Sequence, residues 1–144
     1  MTGAEGFEAA MERYHAAAAT FIKGDPEAYK EVFSQTDDVS LANPFNPIAR
    51  GWADATETME RAASLYAEGE VVGFERVAQL ITPELGYVME IERYRAKIGG
   101  SDESTPVELR VTSILRPESG IWKVVHRHAD PITTPRPPGS VVRD

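Results

Sequence analysis

His126 and His128 are the residues that first suggest chemistry, because they sit two apart in a run that reads as a β-strand. On a strand that spacing sends both imidazoles to one face. Such a pair is able to share a metal, to change charge near neutral pH, or to pack and hydrogen-bond at an interface. The third histidine, His15, follows Tyr14 in a helical stretch. The chain has no cysteine, which removes disulfides, thiolate zinc sites and cysteine nucleophiles. It has no Gly-x-Gly-x-x-Gly or phosphate loop and no Gly-x-Ser-x-Gly elbow. Its 23 acidic residues are scattered, as on a solvated surface.

These side chains must be held by a framework of about one domain, since 144 residues suit a single core. Phe7, Met11, Tyr14, Ala18 and Phe21 form one face of an amphipathic first helix, ended by Lys23-Gly24. Asp25-Pro26 opens a second helix with Tyr29, Val32 and Phe33 on its buried face. Residues 39–42 read as a short strand. The prolines of Asn43-Pro44-Phe45-Asn46-Pro47 are expected to stop any ladder there. A third helix is expected over 51–69, carrying Trp52, Met59, Ala63 and Tyr66, with Gly69 as its stop. Four strand-like runs follow, at 71–81, 87–97, 107–116 and 121–129, separated by short turn signals. Short connections imply an antiparallel meander, and long strands imply strong twist. Helices first and sheet afterwards give an α+β domain over 1–131. The Pro-rich residues 132–144 read as an extended tail.

A net charge of −8 with no basic stripe argues against nucleic acid and against an anionic membrane surface. No apolar run approaches the roughly 20 residues that span a bilayer. Residues 1–10 lack a signal-peptide pattern. The cytoplasm is the expected location.

Three helices, a short strand ending in Asn43-Pro44-Phe45, and the closing run Trp122-Lys123-Val124-Val125-His126-Arg127-His128-Ala129-Asp130 together resemble the nuclear-transport-factor-two-like superfamily. The nearest likeness is to its SnoaL-like and ketosteroid-isomerase-like bacterial branch. The resemblance implies three helices packed on a strongly curved antiparallel sheet, a cone-shaped half barrel around a pocket. One fold can host many functions, so the chemistry must be argued from residues. Ketosteroid isomerase uses an Asp base with a Tyr and a protonated Asp as oxyanion hole. The resemblance puts the base at Asn43, which cannot abstract a proton at neutral pH. It puts the tyrosine at Ala17, one turn after Tyr14, and the second acid at Thr112. The steroid isomerase mechanism therefore does not carry over.

The same alignment implies an inward face with Glu108, Arg110, Thr112 and Ile114 on one strand. It places Glu92, beside Glu90 and Tyr94, on the next, and Lys123, Val125, Arg127 and Ala129 on the last. Glu92 and Arg110 become the candidate catalytic pair, as acid or base and as holder of negative charge. The competing reading is a cross-strand ion pair that satisfies itself. Tyr14, Asn43, Trp52, Met59, Thr112 and Arg127 become candidate ligand contacts. Each has a plainer reading: Tyr14 and Met59 as core, Asn43 as a turn residue before proline, Trp52 as a helix-to-sheet anchor. His126 and His128 fall on the outer face with Trp122 and Val124, where this fold packs a dimer partner. Neither metal nor cofactor is expected. The functional expectation is a protein binding a small apolar molecule that carries a polar group, with isomerase, cyclase or dehydratase activity left open. The alternative is a non-catalytic binding or assembly module, homodimeric through the outer sheet face.

Overall fold

The computed structural model describes residues 3–143. The apolar stripe of the first helix builds α1 (Gly3–Phe21), which buries Phe7, Met11, Tyr14 and Ala18. Gly24 takes φ +100° just beyond it, a left-handed turn that favours glycine. Its N–H bonds the Phe21 carbonyl. The Asp25 carboxylate accepts from the Glu27 N–H at 3.0 Å and starts α2 (Glu27–Val32).

The proline-rich segment does not end the sheet. β1 (Ser40–Asn43) and β2 (Asn46–Arg50) form an antiparallel hairpin around Pro44-Phe45. Pro47 is tolerated because β2 is an edge strand, where a missing N–H breaks no ladder bond. α3 (Trp52–Ala63) is shorter than expected, and Tyr66 opens β3 (Tyr66–Ile81) instead of closing the helix. Gly69 is not a helix stop. A Cβ there would lie 2.1 Å from the Ile22 carbonyl oxygen, so glycine permits the close crossing of β3 over the end of α1.

β4 (Gly86–Ile98), β5 (Ser104–Glu118) and β6 (Ile121–Asp130) complete an open six-stranded sheet ordered β2-β1-β6-β5-β4-β3. Neighbours are antiparallel except β1 and β6, which run parallel, so the sheet is mixed. Three register shifts in β3–β4 and one in β5–β6 mark bulges that increase strand bending. The three helices lie on the concave face and bury the core between helix stripe and sheet. Beyond Asp130 the tail is largely exposed and carries a 3-10 turn at Pro138–Val141.

Candidate functional site

Strand parity decides what the concave face displays. β4 turns Val88, Glu90, Glu92, Tyr94 and Ala96 inward, and β5 turns Leu109, Val111, Ser113 and Leu115 inward. On β6 the inward residues are Trp122 and Val124, then Arg127 and Ala129. The change of parity has a visible cause. Ile114 pairs with His126 but Leu115 pairs with Val124, which leaves Val125 as a bulged residue.

This corrects several expectations. Arg110 lies on the outer face, half-exposed, in a two-pronged pair with Asp130 at 2.8 and 3.0 Å. Thr112 also faces outward, beside Met89, His126 and His128. The alignment had slipped β5 by one residue, which reverses every side chain. Glu108 is outward too, bonded to Arg93. Trp122 and Val124, expected on an outer interface, are core residues.

Arg127 and Glu92 sit on strands separated by β5 and meet across it. Arg127 Nη1 donates to Glu92 Oε2 at 2.8 Å, and Nη2 donates to Oε1 at 2.9 Å. Nη1 also donates to the Tyr14 hydroxyl at 2.8 Å, and that hydroxyl lies 2.7 Å from Ser113 Oγ. Tyr94 donates to Glu92 Oε1 at 2.6 Å. The guanidinium carbon lies 5.7 Å from the Tyr14 ring centroid and 5.6 Å from that of Tyr29. Both charges are almost wholly buried, so each requires the other and its hydrogen bonds.

Burial pushes the Glu92 carboxyl up, but the Arg127 charge and hydrogen bonds, with Tyr94, outweigh it and hold it below the usual range. Burial likewise opposes the charge on Arg127, and Glu92 more than restores it. Burial raises the phenols of Tyr14, Tyr29 and Tyr94, and pushes Tyr66 up to about 12. Around the ion pair every phenol is therefore protonated near neutral pH, as a donor.

Arg127 opens onto a cavity of about 30 Å³ walled by Phe21, Tyr29, Leu41, Phe45, Met59 and Tyr66. Asn43 also lines it, and its Nδ2 is buried without a partner. Among the described residues, neither the Tyr29 nor the Tyr66 hydroxyl has a hydrogen-bond partner. No carboxylate lines this space. Its polar inventory is thus a guanidinium, two phenols and a carboxamide N–H₂, all able to donate. A larger trench of about 510 Å³ lies between the first half of α1 and the β5–β6 hairpin. It is more open and has no buried charge pair beside it, so the candidate site is the smaller, less open space.

The sequence candidates divide accordingly. Asn43, Met59 and Arg127 line the cavity; Glu92 and Tyr14 stand behind Arg127 and hold it. Trp52 packs against the core at the start of α3 and does not line the cavity. Tyr29, Tyr94 and Ser113 were not singled out as site residues. Two of them carried a signal: Tyr29 its place on the buried face of α2, and Tyr94 its place on the inward face of β4 beside Glu92. Ser113 was hidden by the register slip. A second inward carboxylate, Glu90, binds His15 Nε2 at 2.7 Å and Arg76 Nε at 3.3 Å, with the His15 ring stacked 3.9 Å from Phe74. On the outer face His126 Nδ1 lies 2.8 Å from Ser40 Oγ, and His128 lies 3.3 Å from Asp130. Among the described residues no cluster of three or more His, Asp or Glu side chains is arranged for a metal ion.

Residues 8–133 match the family model of the SnoaL-like domain. The chain belongs to the SnoaL-like family. Solved structures extend the likeness. A ketosteroid isomerase-like protein from Erwinia carotovora atroseptica superposes with TM-score 0.72 at 19% identity, covering 88% of this chain and 94% of that one. A nuclear transport factor 2-like superfamily protein from Salmonella enterica gives 0.71 at 17%, covering 90% and 92%. A dehydratase candidate of the same fold from Streptomyces avermitilis gives 0.70 at 16%, covering 90% and 97%. At these identities the likeness shows the α+β cone fold. A search of curated protein sequences returned no match. No helix of this SnoaL-like domain, among the described residues, is long and apolar enough to cross a membrane.

Proposed function

We propose that this SnoaL-like domain binds a small, mostly apolar molecule through a neutral carbonyl oxygen, in the cavity floored by Arg127. The observation that carries this reading is a lining without any carboxylate, in which a guanidinium, two phenols and an amide N–H₂ are all able to donate. A carbonyl accepts from the Tyr29 and Tyr66 phenols and the Asn43 amide, while the aromatic walls cover its apolar body. A carboxylate fits less well, because Glu92 already neutralises Arg127 and a second anion would be buried uncompensated. A ligand hydroxyl would need an acceptor, and the walls offer only phenol oxygens.

Glu92 acts in this reading as a positioning residue. Both its oxygens are occupied and it does not reach the cavity wall. That favours binding over isomerase, cyclase or dehydratase turnover, since no free base faces the ligand. The test is a titration with acetophenone followed by backbone amide shifts. Saturable shifts at Leu41, Leu109 and Ala129 are expected. Tyr66→Phe should weaken binding about tenfold, the scale of one neutral hydrogen bond. Shifts confined to another surface, or none, overturn the assignment.

A second reading concerns assembly. The outer sheet face exposes Met89, Leu80 and the His126–His128 strand, with no element of the described residues laid across them. We propose that a second copy covers this face. Sedimentation of the intact chain at micromolar concentration should give twice 15.8 kDa, and a monomer alone refutes it. The lack of cysteine suits a reducing compartment, and the proposed setting is the cytoplasm.

A further inference from the structure

The cavity as it stands is too small for the ligand assigned to it. About 30 Å³ holds a water or two, whereas pockets for small organic ligands run to roughly 300–1,000 Å³. Some wall must move, and the walls are not equally fixed. Tyr29, Met59, Leu109 and Ala129 belong to the packed core. The Pro44-Phe45 turn does not.

The turn projects past the sheet that anchors it. The parallel pairing of β1 with β6 ends at Ala42–His128. The regular hairpin pairing ends at Leu41–Ala49, followed by a register shift. Beyond these points one further pair, Asn43–Asn46, remains, together with two bonds to the Asn43 side chain. Asn43 Oδ1 accepts from the Phe45 N–H at 2.8 Å and the Asn46 N–H at 3.0 Å. Phe45 leans on Tyr66 with ring centroids 5.7 Å apart, yet it is 41% exposed. The closed turn also leaves two buried atoms unpaired, Asn43 Nδ2 and Asn46 Oδ1. Swinging outward would hydrate both and would cost the partial burial of the Phe45 and Pro44 rings. A carbonyl in the cavity would instead satisfy Asn43 Nδ2 with the turn closed.

We infer that the Pro44-Phe45 turn is a lid, hinged at Asn43 and Asn46, that opens to admit the ligand and closes over it with Phe45 on the mouth. This rests on the cavity being a ligand site, but the opening itself is testable without ligand.

Amide hydrogen exchange on the intact, ligand-free chain is the first arm. The Phe45 and Asn46 amides should exchange about 100-fold or more faster than the Gly51 amide, which bonds the Val39 carbonyl at the far end of the same hairpin. That exchange should be insensitive to low denaturant, the mark of a local opening. Turn amides that exchange only with global unfolding overturn the lid. The second arm measures acetophenone on- and off-rates in wild type and Phe45→Ala. Both rates should rise several-fold in the variant, with the dissociation constant changing less than either. Equal rates overturn the lid. If acetophenone binds neither protein, the ligand-site reading falls, and the exchange arm alone decides whether the turn opens.

Discussion

Arg127 and Glu92 form a two-pronged ion pair that spans β5, tying β6 to β4 with neither partner reaching solvent to any useful extent. Such a pair is weak evidence for stability in itself, because desolvation offsets most of the attraction. Its consequence is geometric. Two hydrogen bonds to Glu92, one to Tyr14 and two aromatic faces leave Arg127 a single orientation beside the cavity.

Breaking one half of this pair should be far worse than removing both. Glu92→Gln leaves a buried guanidinium without its counter-charge and should cost about 3–5 kcal/mol in urea unfolding. The double variant Glu92→Leu/Arg127→Met should recover most of that loss. Equal destabilisation in the single and double variants would show that packing, not charge, dominates here.

The pH dependence follows from the same carboxyl. Glu92 titrates lower in the folded chain than its usual value of 4.5. A depressed folded pKa means that the unfolded state binds more protons as pH falls through this range. The contribution is therefore fully present above the unfolded value and is lost progressively below about 4.5. Asp38, beside Arg116, and Asp130, beside Arg110, shift in the same direction. Urea midpoints should be level from pH 7 to 5 and fall from 4.5 towards 3. The Glu92→Leu/Arg127→Met protein should fall less steeply over the same interval. Parallel slopes would assign acid sensitivity to the surface carboxylates alone.

Tyr14 tests the inner support. Tyr14→Phe removes one of the two acceptors of Arg127 Nη1, the other being Glu92 Oε2, and leaves Ser113 Oγ buried without its partner. About 1–3 kcal/mol should be lost. The Arg127–Glu92 bonds remain, so acetophenone affinity should change little. A large affinity loss with full stability would move Tyr14 from support to direct contact.

Much of this was legible in the sequence, and the parts that were not share a cause. The period of Phe7, Met11, Tyr14 and Ala18 fixed α1, and β4 to β6 appeared as long runs between glycine and proline turns, since local pattern suffices for both. β2 was hidden because a proline in a strand is informative only when the edge is known. Tyr66 was read into α3 because an apolar residue four turns along fits either period. Arg127 and Ala129 face inward as the sequence implies, whereas Trp122 and Val124 do so only because of the bulge at Val125. One bulged residue reverses parity along β6, and no propensity marks it. The family resemblance puts Glu92 inward, and the structure agrees. Arg110 was chosen as its partner through a register that had slipped by one, while the residue that meets Glu92 is Arg127, two strands away.

Arg110 therefore supplies the sharpest check on this geometry. Its guanidinium is half-exposed and pairs with Asp130 on the convex face. Exposed pairs of this kind contribute about 0–1 kcal/mol after screening and side-chain ordering. Arg110→Ala should shift the urea midpoint only slightly and leave acetophenone titration curves unchanged. If the outer face carries a second copy of the chain, the same substitution should alter the monomer–dimer balance, read by sedimentation in the same samples. Loss of acetophenone binding in Arg110→Ala, with the dimer intact, would place the ligand on the wrong side of the sheet and sink the cavity assignment.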